Sequence, residues 1–527
     1  MAERVHLYDT TLRDGMQREG ISLSVNEKLQ IAHLVDRLGC AYIEAGFPAS
    51  NPKDWELFEQ LERETFQTAR VAAFGMTRRK GARASDDEAL RVLVECFAPV
   101  ITLVGKTWGL HLDKVVRVSR EENLAMIGDS VRFCVEQGKE VVYDAEHFFD
   151  GYAADRDYAL RCLSTAAEAG ASHLTMCDTN GATLPTQVAA AVADVGAALG
   201  SHVALGIHTH NDAECAVANS LAAVEAGARL VQGTINGYGE RCGNANLIAI
   251  IPSLEIKLGY DCIGLERMAR LSQISHEAAE ICNLQPDAHA AYVGRSAFAH
   301  KGGMHVAGMQ ADVRAFEHLD PAVVGNARTV LVSELSGKGT VREKAAEFGV
   351  ELDAAGVDRA LQRLKVLEHR GYAFEAADAS FELLLRTEAG EIEPLFELEA
   401  LRVITEKRAD GGVETEATIK LHVRGERVVQ TAEGNGPVNA LDTALRTALT
   451  GHYPELGRLE LANYKVRILD PHTGTGAVTR VILDTSDGHH EWATVGVSPN
   501  IIEASWEALV ESLTYGVRLR LTAPAEA

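Results

Sequence analysis

The feature that most constrains how this 527-residue chain folds is a recurrence in its first half. Short β-branched runs return about every 30 residues: RVHLYDTT from 4, YIEAGFP from 42, RVAAFGM from 70 and VITLVG from 100. They continue with VVYDAEHFF from 141, HLTMCDTN from 173, VALGIHTHND from 203 and LVQGTINGYG from 230. Helix-like segments such as NEKLQIAHLVDRLG and ENLAMIGDSVRFCVEQG lie between them. Repeated strand–helix units of that length predict a (β/α)8 barrel over 1–264. The competing arrangement, a doubly wound open sheet, gathers its polar groups at one switch point. Here polar residues stand at the C-terminal ends of nearly every run, which favours the closed barrel.

From about 265 the pattern turns helical, as in VDRALQRLKVLEHRGY with apolar residues at i, i+3 and i+7. A helical subdomain over 265–392 is therefore expected. The remainder, 393–527, reads as a strand-rich α+β unit written twice. Shifted by 64 residues, Val438, Leu441, Ala444 and Leu445 fall on Ile502, Ser505, Ala508 and Leu509. One pseudo-symmetric domain is the expected result.

Bulk properties exclude several functions. A formal net charge of −24 and a pI of about 5.3 argue against a nucleic-acid or anionic-membrane surface, both of which need basic patches. The start, MAERVHLYDTTLRDG, has no apolar core of a signal peptide, and no run approaches a membrane span. Nine cysteines without CxxC spacing read as reduced thiols of a cytoplasmic protein.

The run VALGIHTHND carries the chemistry. Strand side chains alternate faces, so Val203, Leu205 and Ile207 share one face while Ala204, Gly206, His208 and His210 share the other. The first face suits packing on helices, and the second opens onto the C-terminal mouth of a barrel. Two imidazoles are two metal ligands, and further ligands must come from other strand ends. Asp14 in TTLRDGMQ and Asn244 in GYGERCGNAN complete a mixed nitrogen and oxygen set for a divalent ion. Nothing in the set is soft, and Zn, Mn, Mg and Co are not separated by it. The alternative is that the two histidines merely finish a strand with hydrogen bonds to neighbours.

TLRDGMQ, HTHND, GYGERCGNAN and AFAHKGGMH, in this order, resemble the acyl-CoA condensing branch of the pyruvate-carboxylase-like barrel superfamily. That branch holds the 2-isopropylmalate, homocitrate and citramalate synthases. The tail, with GNGPVNALD and GVSPNIIEAS, resembles its allosteric dimer domain, so the likeness spans nearly the whole chain. Within the branch, EHFFDGY, SNPKD, HKGGMH and FEHLDPAVVGN are most similar to the (R)-citramalate synthases.

The resemblance implies an acyltransferase that joins acetyl-CoA to a metal-bound 2-keto acid, with pyruvate the preferred acceptor and 2-oxoisovalerate the nearest rival. Asp14, His208, His210 and Asn244 then surround the metal. Arg13 stabilises the developing alkoxide, Thr179 in CDTNG binds the keto-acid carboxylate, and Glu146 in DAEHFFD is the catalytic glutamate, alone or orienting a histidine. His305 in KGGMHVAG is implied as the base that takes a methyl proton, with His300 its competitor. In the branch this histidine reaches the partner's active site, which implies a homodimer. Phe316 departs from the pattern, standing where relatives often carry a tyrosine. In the tail, Gly434, Gly436, Pro437, Ser498 and Asn500 precede two helix starts, where a carboxylate is well received, and the implied effector is isoleucine.

Other classes fit less well. An amidohydrolase places its HxH after the first strand, whereas here it follows the seventh. A hydroxymethylglutaryl-CoA lyase shares the barrel but lacks a duplicated tail, and Cys242 does not match that enzyme's cysteine loop. A sensor without catalysis has no use for Arg13 and Glu146.

Overall fold

The computed structural model describes residues 2–200, 203–333, 336–469, 474 and 476–520. The chain forms two compact units. One runs to Phe298 and includes Leu319–Arg328; the other joins Ala299–His318 to the chain from Thr329 onward.

In the first unit eight parallel strands close a barrel. They are β1 (His6–Asp9), β2 (Tyr42–Gly46), β3 (Arg70–Met76), β4 (Val100–Lys106), β5 (Glu140–Glu146), β6 (His173–Asp178), β7 (Ala204–Thr209) and β8 (Leu230–Gly233). Strand β8 closes on β1, with Leu7 opposite Val231. Alternation sorts their side chains into two sets. Leu7, Ile43, Val71, Ile101, Leu205 and Ile207 point outward into the core shared with the helices. Tyr8, Tyr42, Ala72, Val100, Val142 and Leu230 fill the barrel's lower interior. Two residues further along the strands the interior turns polar, with buried Glu44, Thr102, Asp144 and Gln232.

Local signals start and stop the covering helices. Helix Val25–Leu38 opens on a Ser24–Glu27 capping box and ends at Gly39, whose φ of 94° favours glycine. Helices Leu265–Met268 and Leu271–Ile281 also belong to this unit, because Leu271, Ile274 and Ala278 enter the same core as Ile31 and Leu34. Packing thus carries the barrel unit past 264, where the strand spacing alone suggested a boundary. Among the described residues no helix is long and apolar enough to cross a membrane.

The second unit holds a small parallel pair, β9 (Ala299–His300) and β10 (Thr329–Val330), and the helices Gly303–Ala311, Lys338–Glu347, Ala354–His369 and Asp378–Ala389. The duplication follows as two antiparallel three-stranded sheets. The first is β11 (Glu397–Lys407), β12 (Val413–Val423) and β13 (Glu426–Gly434) with helix Pro437–Thr450; the second is β14 (Glu460–Ile468), β15 (Thr479–Ser486) and β16 (Glu491–Ser498) with helix Ile501–Tyr515. Both copies break register at the same place in their first strand, between Leu398 and Ala400 and between Leu461 and Asn463. Their helices and inner sheet faces share one core, including Ile419, Leu441, Leu483 and Leu509. Leu398, Ile404, Val429, Leu461, Val466 and Ile468 of these sheets are nonetheless exposed, Ile404 and Val429 on the first sheet's outer face and the others at uncovered positions of the edge strands. Phe374 and Phe381 pack against Val495 and Val497, so the helical segment is continuous with the second repeat across the 392 boundary read from the sequence.

Candidate active site

Inward-facing residues of successive strands, placed two apart, line a cavity of about 790 Å³ at the C-terminal end of the barrel. Phe74 and Met76 come from β3, Asp144 and Glu146 from β5, and His208 from β7, with His210 just beyond it. Arg13 and Asp14 enter from the loop after β1. That loop is fixed locally: the carboxylate of Asp9 accepts the Thr11 N–H at 2.9 Å and its hydroxyl at 2.8 Å. The Thr11 hydroxyl oxygen in turn accepts the Ile235 N–H at 2.9 Å, fastening the loop to the end of β8. Burial pushes Asp9 up to about 7.

All four expected metal ligands meet here. One ligand atom from each of Asp14, His208 and His210 lies within 4.8 Å of the other two. The two imidazoles face one another through Nε2 atoms 3.2 Å apart. Asp14 Oδ2 lies 3.2 Å from His208 Nε2 and 3.6 Å from His210 Nε2. Asn244 donates to Asp14 Oδ2 at 2.6 Å, while its own Oδ1 is buried without a hydrogen-bond partner. Converging ring nitrogens, a carboxylate and an orphaned amide oxygen are a donor set that fits a divalent cation. Gly239 gives the Asn244 amide its room, since a Cβ there would stand 1.9 Å from Oδ1.

Buried neighbours orient the ligands. Gln232 donates through Nε2 to Asp144 at 2.9 Å, so its Oε1 accepts from His208 Nδ1 at 2.8 Å. The proton therefore sits on Nδ1 and the Nε2 lone pair faces the cluster. Burial alone would depress His208, but the Asp14 carboxylate outweighs it and raises the imidazole above its ordinary value. Burial and the charge of His208 push His210 down to about 3. Burial favours the neutral form of Asp14, yet Arg13 and His208 hold its carboxyl well below the usual range.

Arg13 is clamped for a purpose. Its Nε donates to Glu44 Oε2 at 2.6 Å, its Nη1 lies 3.2 Å from Asp14 Oδ1, and its guanidinium lies 4.1 Å from the centroid of the Phe74 ring. Burial opposes its charge, but Asp14 and Glu44 together raise its pKa above the ordinary arginine value. Among the described residues Nη2 has no acceptor, which leaves an N–H for a ligand in the cavity.

Thr179 also lines the cavity, and its hydroxyl oxygen accepts the His147 N–H at 2.9 Å, leaving the hydroxyl hydrogen to donate. Glu146 lines the same cavity. It pairs with Lys106 rather than with a histidine. The reason is register: Lys106 of β4 lies directly opposite Glu146 of β5.

His305 belongs to the second unit, on helix Gly303–Ala311. It is exposed and stacks on Phe316, with ring centroids 4.6 Å apart. Its ring nitrogens make no hydrogen bond among the described residues. His300, by contrast, is tied through Nε2 to Glu317 at 3.3 Å. The close stacking around Phe316 depends on Gly308, where a Cβ would stand 2.2 Å from the ring.

The profile of the HMGL-like family matches residues 4–275. The homocitrate synthase post-HMGL domain matches 292–371, and the LeuA allosteric (dimerisation) domain matches 375–517. The chain is 50% identical over 525 residues to an (R)-citramalate synthase from Synechocystis sp., covering 97% of this chain and 96% of that one. It is 51% identical over 526 residues to an (R)-citramalate synthase from Streptomyces coelicolor, covering 99% and 98%. The chain belongs to the (R)-citramalate synthase family. Identity is lower, 33%, to a 2-isopropylmalate synthase from Acidimicrobium ferrooxidans, over 98% of this chain and 97% of that one. As a member of the citramalate synthase family the chain is a transferase that condenses acetyl-CoA with a keto acid.

Sequence reasoning missed several residues that hold this family's site in place. Glu44, Lys106, Gln232 and Arg241 were not singled out. Arg241 donates to the Thr179 carbonyl at 2.8 Å and to Asp212 at 2.8 Å through Nε, and its Nη2 lies 3.0 Å from His210 Nδ1. Glu44 and Gln232 did carry a signal: each is a polar residue at an inward position of an otherwise apolar strand.

The two tail loops differ in their helix starts. Gly436 precedes helix Pro437–Thr450 with no side-chain cap, whereas Asn500 caps helix Ile501–Tyr515 by accepting the Ile502 N–H at 2.9 Å. Ser498 accepts the Asn500 N–H at 3.1 Å, and a Cβ at Gly434 would stand 2.4 Å from the Ala440 nitrogen.

Proposed function

We propose that this chain condenses acetyl-CoA with pyruvate and hydrolyses the resulting thioester, giving (R)-citramalate and CoA on the route to isoleucine. The observation that carries the choice of acceptor is the gap between 50–51% identity to citramalate synthases and 33% to a 2-isopropylmalate synthase, each over nearly the whole chain. Those acceptors differ by two carbons, a methyl against an isopropyl group, and each carbon in an apolar pocket is worth about 1–3 kcal/mol.

A divalent ion held by Asp14, His208, His210 and Asn244 would polarise the carbonyl of the keto acid. The chain's own groups do the rest. Arg13, fixed by Glu44, directs its free Nη2 toward the keto oxygen as that oxygen gains negative charge. The Thr179 hydroxyl donates to the substrate carboxylate, and Glu146 with Lys106 forms a charged wall beside it. His305 accepts a methyl proton from acetyl-CoA, and the carbon so exposed bonds to C2 of pyruvate. Its unbonded ring favours it over His300, which Glu317 already engages. Water then cleaves the thioester and CoA leaves.

The chain works as a homodimer. The LeuA dimerisation-domain match and the apolar side chains left exposed on both tail sheets support this. The loops around Gly434, Gly436 and Pro437 and around Ser498 and Asn500 receive isoleucine as feedback effector. Nine free thiols suit the reducing cytoplasm.

The experiment is CoA release from acetyl-CoA, read by thiol assay, with a panel of 2-keto acids and EDTA controls. Pyruvate far ahead of 2-oxoisovalerate, with loss on EDTA and recovery on a divalent ion, is the expected result. Preference for 2-oxoisovalerate would move the enzyme to another acceptor, and no release with any keto acid would remove the condensation itself.

A further inference from the structure

The second unit contains a cavity of about 630 Å³ whose polar lining is mainly basic: Lys301, Lys365, His369 and Arg480, with Tyr372 and the carboxylates Glu368 and Glu375. Such an enclave is unexpected in a chain of net charge −24. Its basic residues come from separate elements. Lys365 and His369 stand four apart on helix Ala354–His369, Arg480 comes from β15, and Lys301 precedes helix Gly303–Ala311.

Arg480 is the informative member. It sits in direct register with Arg467 on β14, and like charges opposite one another across a strand pair are destabilising. The fold does not require this pairing. At the equivalent register the first repeat places Ile404 opposite Glu416. Arg480 is half-buried, and only its Nε finds an acceptor among the described residues, the Gly371 carbonyl at 2.5 Å. Burial and then the charge of Arg467 lower its pKa, against a smaller pull from Glu368 and Glu375. Lys365 is exposed and forms no ion pair among the described residues. Lys301 does have one, to Glu375 at 2.7 Å, and Tyr372 gives its hydroxyl proton to Glu507 at 2.7 Å.

We propose that this cavity is a binding site for a small phosphate-bearing anion, held chiefly by Arg480 and Lys365 with Lys301 and His369 beside it. Lys301 is already paired with Glu375, so the charges offered to an anion are those of Arg480 and Lys365. Donors converging from three elements suit a tetrahedral phosphate better than a planar carboxylate. The anion joins β15 of the duplicated tail to Lys301, four residues before His305. Through that link it reports on the segment of the proposed base, a consequence that rests on the role given to His305 above.

The test is calorimetric titration of the full-length protein with glycerol 2-phosphate at constant ionic strength, with succinate as a carboxylate control. Native protein is expected to bind glycerol 2-phosphate saturably and more tightly than succinate. Lys365→Gln and Arg480→Gln are each expected to weaken it by about tenfold. Lys365 is exposed, so its variant keeps the test decisive if Arg480→Gln fails to fold. No saturable binding, or an unchanged affinity in Lys365→Gln, overturns the site; succinate binding as tightly overturns the phosphate assignment. Because binding is read without turnover, its failure is distinct from failure of the condensation.

Discussion

Asp14 and His208 are buried and Arg13 is half-buried, and each is held by a second buried group, whereas His305 stands exposed on a short helix with the Phe316 ring stacked against it. The contrast follows the two kinds of work proposed for them. Stabilising charge on a keto oxygen rewards donors whose positions are fixed before reaction, since reorientation would consume the gain. Accepting a proton and passing it to water rewards an imidazole whose ring nitrogens are unbonded and accessible. One region is built around fixed geometry and the other around access.

Substitutions can break that contrast. Arg13→Ala is expected to lower kcat by about 10³-fold while metal content, measured by elemental analysis, stays near one per chain; an unchanged kcat removes Arg13 from its electrostatic role. His305→Ala should cost about 10²-fold in kcat, with His300→Gln far milder. If the two losses are reversed, the proton acceptor is His300. Gln232→Leu frees the His208 ring without touching the cavity wall, and metal affinity should fall by tens of fold, about 10–100. A native-like affinity in chelator competition would show that the ring needs no such support. Glu44→Gln keeps a hydrogen bond but removes a charge from Arg13, so a roughly tenfold loss in kcat with little change in metal binding is expected. Phe316→Ala is the smallest change, about threefold in kcat; a collapse of activity would mean that His305 is held as firmly as the barrel groups.

The cluster of Asp14, His208, His210 and Asn244 was legible in the sequence because topology does the gathering. Strand ends of a closed barrel meet at one mouth, and the parity of HTH aims both rings the same way. Arg13 was legible beside Asp14 for the same reason. Glu146 was legible at the same mouth, whereas its pairing with Lys106 was not, since that depends on the register of β4 against β5, which no single strand encodes. Glu44 and Gln232 went unread because a lone polar residue inside an apolar strand was passed over, although only a buried partner makes such a residue affordable. The limits of the units were set by where helices Leu271–Ile281 and Asp378–Ala389 bury their apolar faces, not by where strand patterns stop.

Barrel closure also bears on how the protein is made. Asp14 and Asn244 are 2.6 Å apart in space and 230 positions apart in sequence, the first following β1 and the second following β8. A chain leaving the ribosome N-terminus first carries Asp14 for most of the synthesis of this unit before its counterpart exists. Until then β1 has an unpaired edge where β8 will lie. Translation therefore delivers the catalytic mouth late and all at once, when the last strand seals the ring.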